Sequence, residues 1–218
     1  GELDTLSQKF ASYLQNDLKL KRGARVALMM PNILQYPVAL FGCYKIGAVV
    51  INLNPLFKGR EIENTLNDSQ AETIIVLDKF VEELDKVIKG TKIKKVIVCK
   101  ASDLLSWQMS LLVNVVTFFK KESIRFNESY IPFVRAISSK HNLKKITIMP
   151  DDIALLQYTG GTTGKSKAAV LTHNNILSNI QQLDLWVGPH VSKGNEIIIT
   201  ALPLYHIFSF SVNFIYFF

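Results

Sequence analysis

The feature that most restricts the fold of this chain is a regular alternation of short apolar runs with segments of helical pattern. Five runs have the length and composition of buried strands: residues 25–30, 48–51, 73–77, 96–99 and 153–156. Helical patterns separate the first four of these runs. Strand–helix–strand units at this spacing are typical of parallel sheets with right-handed crossovers. We therefore predict an α/β fold of mixed, largely parallel sheets with helices on both faces.

The remaining elements are predicted from periodicity and capping residues. Asn32 is the expected cap of a helix over residues 33–45, and Thr172 of a helix that runs to about Trp186. Further helices are predicted over residues 4–17, 58–67 (with Ile62 and Leu66 inward), 78–89 and 130–141. Residues 142–150 are interpreted as a linker with a short strand, and residues 196–201 as a buried strand that ends at residues 202–206.

A glycine-rich stretch follows the last of the five apolar runs. It contains the glycines Gly160, Gly161 and Gly164, the hydroxyl residues Thr159, Thr162, Thr163 and Ser166, and the lysines Lys165 and Lys167. Glycines let backbone N–H groups approach an anion, hydroxyls donate to phosphate oxygens or bind Mg²⁺, and lysine adds positive charge. The composition predicts a loop that binds a polyphosphate. The alternative is an exposed Gly/Thr turn without a ligand.

The spacing of this stretch differs from that of a nucleotide-binding P-loop. That motif places one glycine five residues before the Gly-Lys-Ser/Thr ending, and here the position five before Gly164 is Thr159. The residues after the loop, 167–172, also have a β-like pattern, whereas a P-loop continues into a helix. We therefore expect a hairpin tip, and a P-loop kinase or NTPase is the second functional interpretation.

Three ordered motifs resemble one family. Residues 158–169 resemble the signature loop of the adenylate-forming superfamily, residues 44–55 its early core motif, and residues 202–206 the segment that reaches its acyl site. The Leu-Gln-Tyr-Thr-Gly-Gly form of the loop, together with residues 25–32, is most similar to bacterial long-chain fatty acid–CoA ligases. The resemblance runs along nearly all of the 218 residues.

This resemblance implies an activity and a set of binding residues. A ligase of this kind joins a fatty acid to AMP, releases pyrophosphate, and transfers the acyl group to CoA, with ATP and Mg²⁺ required. The implied ATP and phosphate contacts are Tyr158, Thr159, Gly160, Gly161, Thr162, Thr163, Gly164, Lys165, Ser166, Lys167, Ala168 and Ala169. Thr163, or its neighbour Thr162, would help to place Mg²⁺, and Tyr205 and His206 would face the substrate. Beyond these binding groups, no catalytic residue is expected within the chain.

Several positions within the loop differ in how closely they match the family. Lys167 matches the signature lysine of the family, whereas Lys165 is at a variable position and is interpreted as a solvated charge. The family usually has glycine where this chain has Ala168. If that position required a positive φ, alanine would cost about 1 kcal/mol or more and could displace Lys167. Ser166 replaces a proline that is common in the wider superfamily.

The resemblance also implies a division of the chain. Residues 1–218 are expected to form an incomplete N-terminal AMP-binding domain, without the C-terminal domain. Within it, about 1–150 would be a first α/β subdomain with an insertion near 101–150, and about 151–218 the start of a second subdomain that carries the phosphate loop. We expect the chain to be inactive alone, and a non-catalytic truncated remnant is a further interpretation.

Charge and one long uncharged segment bear on partners. The net charge of +7 suits anionic ligands such as ATP and CoA, or an anionic membrane surface. The basic residues are spread along the chain, so nucleic acid is not an expected partner. Residues 104–119 carry no charge, and we favour a partly buried core helix over an interfacial helix that contacts a membrane. The expected location is cytoplasmic, with peripheral contact at the inner face of the membrane under the interfacial interpretation.

Overall fold

The fold is built on one seven-stranded sheet. The computed structural model describes residues 1–119, 129–159 and 167–218. The strand order is β5-β4-β3-β1-β2-β6-β7, and every neighbouring pair is parallel except β6 and β7. The strands are β1 (Arg25–Met29), β2 (Val49–Asn52), β3 (Thr73–Leu77), β4 (Lys95–Cys99), β5 (Ile131–Pro132), β6 (Ile153–Thr159) and β7 (Lys167–Thr172). The predicted α/β class is confirmed, with one mostly parallel sheet.

Helices cover both faces of this sheet. They are α1 (Glu2–Asn16), α2 (Gln35–Lys45), α3 (Gly59–Ser69), α4 (Val81–Asp85), α5 (Trp107–Phe119), α6 (Phe133–Ala136) and α7 (His173–Val187), followed by a π-helical segment, Ser209–Ile215. Residues of α1, α2, α6, α7 and the π-helical segment pack on one face against side chains such as Leu28 and Val50. Residues of α3 and α4 pack on the other face against Met29 and Ile51. Successive strand residues therefore enter opposite cores, which explains the continuous apolar runs of the sequence.

Two glycines, Gly42 within α2 and Gly47 just after its end, shape the packing of this helix. A Cβ at Gly42 would lie 2.6 Å from Cδ1 of Phe10, so a side chain at this position would force α1 and α2 apart. Gly47 has φ +62° directly after the helix, a conformation that favours glycine. Together they bring α2 against α1 and turn the chain sharply into β2.

Some predicted helices differ from the structure. Residues 78–89 form α4 flanked by two short 3₁₀ segments, Asp78–Phe80 and Ile88–Gly90, rather than one helix. Residues 130–141 contain only β5 and the four-residue α6, and residues 142–150 contain no strand. Asn32 does not cap α2, which begins at Gln35. Its side chain instead bonds to the backbone of residues 200–204, a long-range partner that local pattern does not reveal.

The predicted strand over residues 196–201 is wrong for this structure. These residues have no regular secondary structure, and Ile197 is 94% exposed. A strand requires a hydrogen-bonded neighbour, and none of the described strands pairs with this segment. The apolar run at residues 207–218 behaves differently, since Phe210 and Phe214 are buried against the α2 side of the core.

The interpretation of residues 104–119 as a partly buried helix is confirmed only in part. Residues Trp107–Phe119 form α5, and Leu104 packs against the core just before it. However, Trp107 is 75% exposed, and Met109, Leu111 and Leu112 are at least half exposed. Among the described residues, no helix has both the length and the apolar composition needed to cross a membrane.

Candidate phosphate-loop site

The predicted phosphate loop connects two antiparallel strands. Strand β6 pairs with β7 from Ile153 opposite Thr172 to Thr159 opposite Lys167, and residues 160–166 join the two strands. Gly160, Gly161, Thr162, Thr163, Gly164, Lys165 and Ser166 lie outside the described residues. The flanking pairing confirms the hairpin prediction. It also counts against a P-loop kinase, because a strand stands where that class has a helix.

The loop end of the hairpin, at Thr159 and Lys167, lies at the carboxyl edge of the parallel strands. Gln157 of β6 is in register with Asn52, the last residue of β2, and Asn52 is in register with Leu28 of β1. In parallel α/β sheets, ligands bind at this edge. The sheet therefore places Thr159 and Lys167, which flank the predicted phosphate loop in the sequence, where a ligand site is expected.

The residues that flank the loop are held within regular strand structure. Ala168 pairs with Tyr158 and Ala169 with Gln157. Among the described non-glycine residues, positive φ occurs at Lys19 and Gln70, so Ala168 does not adopt that conformation. The expected strain from alanine at the usual glycine position is therefore not present, and Lys167 keeps its place opposite Thr159.

The segment that contains Tyr205 and His206 lies beside β6. The Gln157 side-chain Nε2 donates to the Tyr205 carbonyl oxygen at 3.0 Å. This bond joins the strand that enters the phosphate loop directly to the predicted substrate segment. The His206 side chain is exposed, and its backbone N–H donates to the Pro203 carbonyl at 3.0 Å.

Further polar side chains fix the same segment to the carboxyl edge. Asn32 Nδ2 donates to the carbonyls of Thr200 and Leu202 at 3.0 and 2.9 Å, and its Oδ1 accepts from the Leu204 N–H at 2.8 Å. The buried Tyr36 hydroxyl is 3.1 Å from both Asn52 Oδ1 and the Leu204 carbonyl oxygen. The structure thus brings together two motifs that are far apart in sequence.

Sequence reasoning missed the residues that make this connection. Asn52 and Gln157 are polar residues at buried positions of otherwise apolar strands, and this was the available signal. Their atoms Asn52 Nδ2 and Gln157 Oε1 are buried without a hydrogen-bond partner among the described residues. Unpaired buried polar groups are costly, and Gln35 Oε1, Tyr44 OH and Thr65 Oγ1 are further examples among the described residues, so this feature is not confined to the site.

Charge at the edge comes from side chains around the hairpin. Lys167 is exposed at the start of β7. On the sheet face that packs against α3, burial and then the nearby Asp68 carboxylate raise the pKa of the Tyr158 hydroxyl, which therefore remains a donor. Among the described residues, no cluster of three or more His, Cys, Asp or Glu side chains could hold a metal.

The fold and this site define the class of protein. The sequence model of the AMP-binding enzyme family matches residues 1–218, and the chain belongs to that family. It is 45% identical over 216 residues to the long-chain-fatty-acid–CoA ligase of Escherichia coli O157:H7. The alignment covers 97% of this chain and 38% of that enzyme. The corresponding ligase of Bacillus subtilis (strain 168) is 32% identical over 205 residues, 92% of this chain and 36% of the relative.

A solved structure agrees with these sequence relationships. The crystal structure of a long-chain-fatty-acid–CoA ligase from Archaeoglobus fulgidus aligns with a TM-score of 0.75 and 25% identity. The alignment covers 96% of this chain and 36% of that protein. The chain therefore spans somewhat more than a third of the length of these relatives.

Proposed function

We propose that this chain is part of a ligase that activates a long-chain fatty acid with ATP and transfers it to CoA. The observation that carries the proposal is the Gln157–Tyr205 hydrogen bond, which joins the predicted substrate segment to the strand that leads to the predicted phosphate loop. Activation requires a carboxylate and a triphosphate to meet. Two binding segments at one sheet edge suit that requirement.

The proposed chemistry has two balanced steps. A carboxylate oxygen attacks the α-phosphorus of ATP, and the bond to pyrophosphate breaks to leave acyl-AMP. The CoA thiol sulfur then attacks the acyl carbon, loses its proton, and displaces AMP. Both reactants of the first step are anionic, so the protein must neutralise charge and hold the groups in line.

Within this scheme, residues of the chain bind and orient. Residues 159–167 would hold the β- and γ-phosphates, with Lys167 supplying charge, and His206 and Tyr205 would face the fatty-acid carboxylate. Thr163, or its neighbour Thr162, would help to hold Mg²⁺, which supplies charge neutralisation at the phosphates when bound. We also propose the division of the chain near residue 150, with the phosphate loop in the second part.

Lysine substitutions test the ligase proposal. The protein used is a chimera in which this chain replaces the matched 38% of the E. coli O157:H7 ligase. Lys167→Ala should raise the KM for ATP by about 10-fold or more, because a charge-assisted phosphate contact contributes roughly 1.5–3 kcal/mol. Lys165→Ala is the matched control and should change the KM for ATP less than threefold.

Equal effects of the two lysine substitutions on the KM for ATP would contradict this proposal. The isolated 218-residue chain should form no acyl-CoA, and robust ATP-dependent formation would contradict this expected inactivity but not the ligase reaction. Inactivity of a well-folded wild-type chimera would favour the alternative of a non-catalytic remnant.

We also propose that the protein is cytoplasmic and contacts the inner face of an anionic membrane through α5. The supporting observation is the exposure of Trp107, Leu111 and Leu112 on this helix. In the sequence, Lys120 and Lys121 follow the helix directly. An exposed apolar helix with an adjacent basic pair is typical of interfacial binding. Each buried leucine would contribute roughly 1.5–3 kcal/mol, and each lysine about 1 kcal/mol.

Tryptophan fluorescence tests this membrane contact. In a Trp186→Phe background, Trp107 is the only tryptophan. Vesicles of phosphatidylglycerol and phosphatidylcholine should shift its emission to the blue, and Leu111→Ser with Leu112→Ser should abolish the shift. Leu185→Ser is the control, because Leu185 is even more exposed than Leu111 and Leu112 but lies on α7. No shift with anionic vesicles, or equal loss in the control, would exclude α5 as the contact.

A further inference from the structure

One side chain of β6 is fixed from the α3 side of the sheet. The Tyr158 hydroxyl donates to Asp68 Oδ2 at 2.5 Å, and Asp68 lies near the end of α3. Tyr158 is two residues before Gly160, where the predicted phosphate loop begins. This contact is therefore the last side-chain bond on that face before the chain enters the loop.

The tyrosine is well placed to transmit a constraint. Its ring belongs to the apolar cluster that contains Ile51 and Leu66, so its position is set by packing as well as by the hydrogen bond. A hydrogen bond to a carboxylate is stronger and shorter than a bond between neutral groups. Asp68 thus holds the end of a large, nearly buried side chain whose backbone pairs with Ala168 of β7.

The neighbouring residue is fixed from the other face. Gln157 donates to the Tyr205 carbonyl at 3.0 Å, and its side chain enters the α1–α2 side of the sheet. Two consecutive residues of β6 are therefore held by polar bonds from opposite directions. Such an arrangement limits both tilt and twist of the strand end, and hence the positions of Thr159 and its partner Lys167.

We propose that Asp68 is a positioning residue for the phosphate loop and acts through Tyr158. The inference rests on the proposed function, since it assigns the loop a triphosphate ligand. By fixing Tyr158, Asp68 keeps the Thr159–Lys167 pair in place and aims Lys167 at the phosphates. A displacement of about 1 Å can cost up to 100-fold in rate at a site that acts by orientation.

The chain offers a matched control for a purely structural effect. The Tyr130 hydroxyl likewise donates to a carboxylate, that of Asp85. Tyr130 lies next to β5, at the opposite edge of the sheet from β6 and β7. Loss of this second tyrosine–aspartate bond should change stability locally without changing the phosphate loop.

Kinetics of the chimera described above test the proposal. Asp68→Ala and Tyr158→Phe should each raise the KM for ATP by about tenfold and leave the KM for the fatty acid within about twofold. The double variant should be no worse than either single variant, because both remove the same bond. Asp68→Asn keeps an acceptor oxygen and should restore most of the affinity, while Tyr130→Phe should match the wild type. Equal effects on both substrates, or no difference from Tyr130→Phe, would overturn the proposal.

A second measurement does not depend on ligase activity. Hydrogen exchange in the 218-residue chain should become faster in Asp68→Ala at the amides of residues 157–159 and 167–169, with β1 and β3 unchanged. Uniform acceleration across the sheet, or no change at the hairpin, would overturn the positioning role. Localised acceleration together with an inactive wild-type chimera would count against the ligase proposal alone.

Discussion

Residues 1–99 and residues 167–202 both contain apolar strand and helix patterns, yet the two regions cover their apolar side chains very differently. Strand β3 buries all five of its residues between helices on both faces. By contrast, Ile176 is the one buried residue of the fifteen in α7, and Trp186 is 83% exposed. An apolar pattern therefore predicts a helix or strand, but its side chains are buried only where another part of the protein packs against them.

The difference follows from the contacts of the two regions. The strands and helices of the first region pack on one another, whereas Leu177, Leu185 and Trp186 of α7 stay exposed. The chain spans somewhat more than a third of the length of its relatives. Exposed apolar patches of this kind mark interaction sites or aggregation-prone surfaces.

The largest expected effect comes from removing a large side chain in each region. Phe10→Ala should destabilise the chain by about 3–5 kcal/mol, because Phe10 is fully buried between α1 and α2. Trp186→Ala should change the free energy of unfolding by less than about 0.5 kcal/mol. Urea unfolding followed by far-UV circular dichroism measures both. Similar losses for the two variants would remove the distinction between the regions.

A smaller effect is expected where the first region holds the segment after α7. Tyr36→Phe removes the hydroxyl that donates to Asn52 Oδ1 or the Leu204 carbonyl, so buried acceptors lose a partner. We expect a loss of about 1–3 kcal/mol and faster hydrogen exchange in residues 203–206. Tyr44→Phe is the control, because the Tyr44 hydroxyl is buried and has no hydrogen-bond partner within the described parts of the chain, so its removal should be neutral or stabilising.

The start of α7 provides the next test. Thr172 accepts a hydrogen bond from the Asn175 N–H at 3.1 Å and forms a capping box with Asn175. Thr172→Ala should cost about 1 kcal/mol, while Thr172→Ser should keep most of the stability. Equilibrium urea unfolding measures both variants. If α7 were held mainly by its packing, the two substitutions would behave alike.

The smallest effect depends on pH. Burial lowers the pKa of His173 below its ordinary 6.5, and Asp152 partly opposes this shift. The unfolded chain therefore binds the proton first, so stability should fall as the pH drops below about 6.5 toward the folded-state pKa. His173→Gln should flatten the pH dependence of the unfolding midpoint between pH 7 and about 5. The His173 ring packs edge-on against the Tyr44 ring. An unchanged pH dependence in His173→Gln would show that the His173 ring is not desolvated there.

Much of the first region could be predicted from sequence because its signals are local. The run at residues 73–77 has strand bounds that match β3, and Ile62 and Leu66 are buried as their spacing on α3 predicted. The absence of a strand at residues 196–201 could not be predicted in the same way. The isoleucines of this segment indicate a buried strand, but burial depends on a neighbour that local pattern does not supply.

The candidate site was predictable in composition and less so in its connections. The hairpin flanking residues 160–166 followed from β-like patterns on both sides of a glycine-rich stretch. The bond from Asn32 to Thr200 joins residues 168 positions apart, and the bond from Tyr158 to Asp68 joins residues 90 apart. Short polar side chains such as Asn32 also suit local caps, and only the tertiary fold chooses between the two uses.

The reversed strand β7 has a consequence for how anions are attracted. Because Thr172 lies opposite Ile153, α7 begins at the far end of the hairpin, about 20 Å from the loop by strand geometry. That distance exceeds the Debye length of about 8 Å at physiological ionic strength, so the helix macrodipole contributes little at the loop. Attraction of a nucleotide would then depend on lysine side chains and on amides of the loop itself, and added salt should weaken it strongly.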